Sequence, residues 1–257
     1  MYLQIERRFY IMISIDLNCD LGEGFPNDEL LYPYISSANI ACGYHAGDLD
    51  CITKAIDFCI AHNVAIGAHP GFDDKENFGR KEIKLSPERL QDLVMHEILV
   101  VRFSAMKKNK KMHHVKLHGA MYNMAARDKA IALTIADAVH RVDPNVMIYG
   151  LSGSYLISEA KALGLATCSE VFADRTYQPD GSLTPRDQPN AMINSVDQSI
   201  QQVLQMIHEK TVTCVDGTVI PIVAETICLH GDGDHAVAFA KHINQILIQY
   251  NIAIKAQ

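Results

Sequence analysis

Short β-branched and aliphatic runs alternate along this chain with longer stretches whose apolar positions recur at helical spacing. The runs Ile13–Cys19, Ala38–Gly43, Val64–His69, His114–His118, Val146–Leu151, Ala166–Phe172 and Ile222–His230 predict seven strands. Between them, Ile52, Ala55, Ile56, Cys59 and Ile60 form one apolar stripe. Ile131, Ile135, Val139 and Val142 form a second, and Ile243, Ile246, Leu247 and Tyr250 a third. Each is the face of a helix laid on a core. Ser86-Pro87 reads as a cap followed by Pro in the first turn, ahead of Leu90, Leu93, Val94, Ile98 and Val101. Ser195 with Gln198 reads as a capping box before Ile200, Val203, Leu204 and Ile207. Asp216-Gly217 predicts a hairpin turn between Thr211–Val215 and the last strand.

Strands alternating with helices build a parallel sheet, either doubly wound or closed into a barrel. The polarity inside the strands decides between them. In the first strand Ile13, Ile15, Leu17 and Cys19 share one face, while Ser14, Asp16, Asn18 and Asp20 share the other. In the fourth, Val115 and Leu117 oppose His114, Lys116 and His118. A doubly wound sheet lies under helices on both faces and has little use for a polar one. A polar face suits a barrel lumen, so the expected architecture is a single-domain α/β barrel over residues 13–257, with residues 1–12 as an N-terminal extension or a misassigned start.

At 257 residues and 48% hydrophobic content the chain can bury one large core, and α/β barrels commonly have this length. The formal net charge of −7 argues against a nucleic-acid partner. No apolar run is long enough to cross a bilayer, and the first residues lack the cleavage site of a signal peptide. The seven cysteines include no Cys-x-x-Cys pair and read as reduced thiols of a cytoplasmic protein.

Active sites of such barrels form at the C-terminal ends of the strands. The unusual residues fall there in succession: Asn18, Asp20 and Glu23 after the first strand, and His45 and Asp48 after the second. His69 follows with Arg80 beyond it, then Lys116 and His118, and finally His230. Small residues after each histidine let a ligand approach the backbone closely. Two chemistries fit this set. Asp20 with two or three of His45, His69 and His118 can hold a divalent metal that polarises an amide carbonyl and activates water. Alternatively, Asp20 acts as general base while Lys116 or a histidine stabilises the oxyanion. The polar segment from Glu170 to Arg186 reads as a lid, with Asp174 in it and with Arg175 or Arg186 meeting a carboxylate or phosphate. There is no P-loop, dinucleotide fingerprint or Ser-nucleophile elbow.

Several blocks together resemble the LamB/YcsF family: Asp16-Leu-Asn-Cys-Asp-Leu-Gly-Glu-Gly, Ser37-Ala-Asn-Ile-Ala-Cys-Gly-Tyr-His-Ala-Gly-Asp, Ile66-Gly-Ala-His-Pro-Gly-Phe, Asn77-Phe-Gly-Arg, Val115-Lys-Leu-His-Gly-Ala-Met-Tyr-Asn, Val171-Phe-Ala-Asp-Arg-Thr-Tyr and Cys228-Leu-His-Gly-Asp. The resemblance runs from Ile13 to the C-terminus. It implies an irregular seven-stranded β/α barrel like that of polysaccharide deacetylases, although their metal signature is not reproduced. It also implies the A subunit of a 5-oxoprolinase, which opens the lactam 5-oxoproline to glutamate with ATP as co-substrate and works with the B and C subunits. In that setting Asp20, His45, His69, Lys116 and His118 are the expected catalytic residues. Asn18, Asp48, Arg80, Asp174, Arg175 and His230 are expected to bind substrate. The rival readings are a metal-dependent amidohydrolase acting without ATP and a non-catalytic lactam-binding protein of the same assembly.

Overall fold

A computed structural model describes residues 13–229 and 236–257. Seven parallel strands close on themselves in it. They are β1 (Ser14–Leu21), β2 (Ser37–Ala41), β3 (Ala65–His69), β4 (His114–Lys116), β5 (Met147–Leu151), β6 (Thr167–Phe172) and β9 (Thr226–Leu229). Each pairs with the next, and β9 returns to pair with β1, Asp16 opposite Thr226 and Asn18 opposite Cys228. A short strand β10 (Ala253–Ile254) lies parallel to the start of β1.

The polar strand faces turn inward. Lys116 on β4 bonds Asn18 and Asp20 on β1, three strands away, a contact that can only cross the lumen. At the closed end, Asp16 accepts hydrogen bonds from Ser36, Ser37 and Thr226. Burial raises the Asp16 carboxyl above its ordinary range, and these hydroxyls work against that rise. Above it Asn18 is saturated, donating to Glu170 and Thr226 and accepting from Asn39 and Lys116.

The opposite faces carry Leu17, Cys19, Leu21, Ile40, Ala68, Val115 and Ile148, buried in the main hydrophobic core. Around the barrel lie α1 (Asp28–Leu31), α2 (Leu49–His62), α3 (Pro87–Lys107), α4 (Gly119–Arg127), α5 (Lys129–Val142), α6 (Tyr155–Ala162), α7 (Val196–Leu204) and α8 (Ala236–Gln249). The Ser86 and Ser195 hydroxyls cap α3 and α7 as their sequences suggest. Helices α4 and α6 are too short to leave a clear stripe in the sequence, and Ser154 caps the latter. Tyr250 leaves its apolar stripe: it lies past the end of α8 and is exposed.

The hairpin differs from expectation. Thr211–Thr213 (β7) pairs antiparallel with Val219–Pro221 (β8) in a separate two-stranded ribbon, and only afterwards does the chain enter the last barrel strand. No helix among the described residues is long and apolar enough to cross a membrane. All seven cysteines are free, and six are buried.

Candidate active site

At the C-terminal mouth of the barrel, strands β1, β4 and β6 bring three charges together. Lys116 Nζ lies 2.8 Å from Asp20 Oδ1 and 2.9 Å from Glu170 Oε1, with Cys228 Sγ at 3.0 Å. Burial alone would lower the lysine's affinity for its proton, but Asp20, Cys228 and Glu170 reverse this, and Lys116 is held well above the ordinary range as a cation. Tyr122 donates to the second Glu170 oxygen at 2.7 Å, and Asn39 donates to Asp20 Oδ1 at 2.8 Å. Asp20 therefore has one oxygen fixed by Lys116 and Asn39, while its other oxygen lies 3.4 Å from His69 Nε2.

Three histidines converge beside it from the ends of β2, β3 and β4. His69 Nδ1 contacts the Lys116 carbonyl at 2.8 Å, and His118 Nε2 contacts the Phe78 carbonyl at 2.8 Å. A carbonyl only accepts, so both of these nitrogens carry hydrogen. The remaining atoms, His69 Nε2 and His118 Nδ1, face one another at 3.0 Å. His45 stacks on His118 with ring centroids 3.9 Å apart and an angle of 6°. Burial, reinforced by the neighbouring histidines, pushes His45 far below the usual imidazole range, and burial with His69 brings His118 down to about 3. Glu23 completes the group: its Oε1 is 3.6 Å from His118 Nδ1 and 3.8 Å from His45 Nε2. One ligand atom from each of Glu23, His45, His69 and His118 fits within a span of 4.8 Å, so these four residues can hold a metal ion.

Two glycines make room for the rings. A Cβ on Gly71 would fall 2.8 Å from His45 Nδ1, and one on Gly79 would fall 2.8 Å from His45 Cβ and 3.0 Å from His118 Cδ2. Gly79 also has a φ of +60°, which a side chain disfavours.

Above this floor opens a cavity of about 820 Å³, lined by Asp20, Glu23, His69, Lys116 and His118 below and by Arg80, Arg175 and Arg186 at its wall. That volume suits a small metabolite and part of a second group. The structure thus brings Asp20, His45, His69, Lys116 and His118 together, with Arg80 stacked over Phe78 at 4.9 Å. It does not bring Asp48 in: that carboxylate is exposed and accepts from Cys51 N as the cap of α2. Asn18 lies outside the cavity lining, its side-chain oxygen and nitrogen engaged by Glu170, Thr226, Asn39 and Lys116. Asp174 is buried next to Arg175 and outside the cavity lining. Arg175 donates to the carbonyls of Thr184 and Ala191 and ties the 173–192 loop together, so two of its five donors are spent on backbone. His230 lies outside the described residues, as do residues 1–12.

Glu23 and Glu170 stand in the segments that the sequence marks, but neither is among the expected catalytic or binding residues. Glu170 belongs to β6 and points into the lumen; it is no part of a lid. Glu23 stands between Gly22 and Gly24, both with positive φ, and that turn directs its carboxylate back over the barrel mouth.

Comparison with known proteins agrees with this architecture. The LamB/YcsF family matches over residues 15–257. The A subunit of 5-oxoprolinase from Shouchella clausii (strain KSM-K16) is 51% identical over 250 residues, covering 95% of this chain and 99% of the relative. That of Geobacillus kaustophilus (strain HTA426) is 51% identical over 249 residues, covering 95% and 97%. The crystal structure of the lactam utilization protein from Thermus thermophilus superposes with a TM-score of 0.89 at 35% identity, covering 95% of this chain and all of that one.

Proposed function

The chain belongs to the LamB/YcsF family, and from that premise we propose that it is the A subunit of a 5-oxoprolinase, opening 5-oxoproline to glutamate in an assembly that turns over ATP. The near full-length relation to proteins that carry this name supports the activity. The observation that carries the chemistry is Asp20, held at the cavity floor by Lys116 and Asn39 through one oxygen and directed at His69 through the other.

A five-membered lactam is a poor electrophile. Phosphorylation of its oxygen by ATP makes the ring carbon open to water, and the B and C subunits share that work. In this reading Asp20 takes a proton from the attacking water. Lys116 is a positioning group: its ammonium is already surrounded by Asp20, Glu170, Asn18 and Cys228, so it fixes the base and does not reach for a substrate anion. Arg80 and Arg186 on the cavity wall meet the substrate carboxylate or phosphate. Water exclusion falls to the 173–192 loop that Arg175 binds together.

The test is glutamate release from 5-oxoproline and ATP by the co-expressed subunits, with and without this chain. Release that depends on the chain is expected. Release that does not, or amide cleavage by the chain alone without ATP, overturns the assignment.

A further inference from the structure

We propose that Glu23, His45, His69 and His118 form a binding site for one divalent transition-metal ion of the zinc type at the floor of the cavity. His69 Nδ1 and His118 Nε2 each spend their hydrogen on a backbone carbonyl, of Lys116 and Phe78 respectively. In the neutral rings this leaves two bare lone pairs, on His69 Nε2 and His118 Nδ1, aimed at each other across 3.0 Å. Such an arrangement repels unless a proton or a metal ion lies between or beside them, and a proton there would serve only this pair. Backbone carbonyls behind metal-bound imidazoles set the tautomer in just this way.

The second observation is independent. His45 is 1% exposed, and neither of its ring nitrogens has a hydrogen-bond partner. A buried imidazole left without bonds is costly in a finished interior. Its Nε2 nevertheless points toward Glu23 Oε1, which also lies near His118. An ion there would be bound by Glu23, His69 and His118, and by His45 once its ring tilts out of the parallel stack on His118. Donors about 2.0–2.2 Å from a tetrahedral zinc stand about 3.3–3.6 Å from one another. The separations of 3.0, 3.6 and 3.8 Å bracket that spacing. Three imidazoles and one carboxylate suit zinc, cobalt or nickel better than magnesium or calcium, which prefer oxygen.

Asp20 stays outside the ligand set. It reaches His69, but its other oxygen is engaged by Lys116 and Asn39. The carboxylate that closes the site is instead Glu23, carried over the mouth on its glycine-flanked turn. The ion would sit where a lactam carbonyl or a water can reach it from the cavity.

The experiment is a titration of the full, chelator-stripped chain with Co²⁺ and then Zn²⁺, followed by visible absorption and by competition with a chromophoric chelator. One equivalent with the intense bands of a four- or five-coordinate site is expected. Glu23→Gln and His118→Asn should each weaken binding beyond the roughly 100-fold that loss of an outer partner costs, whereas Asp20→Asn should keep one equivalent. A wild-type chain, folded by circular dichroism, that takes up neither metal overturns the proposal; so does binding that Asp20→Asn abolishes and Glu23→Gln leaves intact. The titration uses no lactam, no ATP and none of the partner subunits. A chain that takes up neither metal yet supports glutamate release overturns the site and leaves the proposed activity standing; a metal-binding chain that supports none would do the reverse.

Discussion

Lys116 separates Asp20 from Glu170, lying 2.8 Å from the first carboxylate and 2.9 Å from the second. All three side chains are buried or nearly so, and the ammonium is the cation that holds two negative groups at the barrel mouth. Replacing it leaves two carboxylates out of water without compensation. Lys116→Met should therefore destabilise the chain by about 3–5 kcal/mol, a scale set by broken buried ion pairs. Urea unfolding measures this. A loss under about 1 kcal/mol would mean that the donors Asn18, Asn39 and Tyr122 hold the two carboxylates without the cation.

Asp20→Asn tests the general base. The amide keeps the shape and a hydrogen-bond acceptor for Asn39, and Glu170 still balances Lys116. Thermal stability should remain close to wild type while glutamate release by the assembled subunits falls about 10²–10⁴-fold, the usual worth of an acid–base group. Near-normal turnover would remove Asp20 from the chemistry.

His114 predicts a pH dependence. It is fully buried, its Nε2 is 2.7 Å from Asn39 Oδ1, and its ring stacks on Tyr149 at 4.0 Å. Burial, with the His113 and Lys116 charges, holds it well below the ordinary histidine value of 6.5. The unfolded chain accepts a proton there near the ordinary value and the folded chain does not. Stability is thus complete above about pH 6.5 and declines as the pH falls, by up to about 1.4 kcal/mol per unit for one group. In His114→Gln the denaturation free energy should fall less steeply between pH 6 and 5. An unchanged slope would show that His114 protonates within the fold.

Gly67 on β3 is fitted to the same ring. A Cβ there would stand 2.1 Å from His114 Nε2 and 2.4 Å from Cε1. With Tyr149 stacked on His114, the imidazole has little room to slide. Gly67→Ala should cost about 3 kcal/mol, the upper end for overpacking, and lower Tm by about 6–12 °C in a chain of this size. A drop below about 2 °C would mean that the ring can move aside.

The barrel itself was legible in the chain. Alternation along Ser14, Asp16, Asn18 and Asp20 names a polar face, and the lumen is where that face goes. What alternation cannot name is the partner. Asn18 bonds residues 152 and 208 positions away, and no local pattern encodes such distances. Glu23 is visible at the strand end but gets no role, because it stands in a turn with no periodicity; its two flanking glycines mark only a bend. Asp48 carries two local signals at once. It follows a strand, but it also precedes a helical stripe by one turn, and capping is the role the fold gives it.

The lumen network also bears on how the chain reaches this state. Asn18, Lys116, Glu170 and Thr226 satisfy one another only after β1, β4, β6 and β9 have all come together. Until then each is exposed to water or left half-bonded, so a partly closed barrel gains little from them. Contacts of such sequence separation slow folding, and here they arrive at the last step of assembly. Ring closure is therefore expected to be the slow kinetic phase, with the amides of β1 and β9 gaining hydrogen-exchange protection together and late.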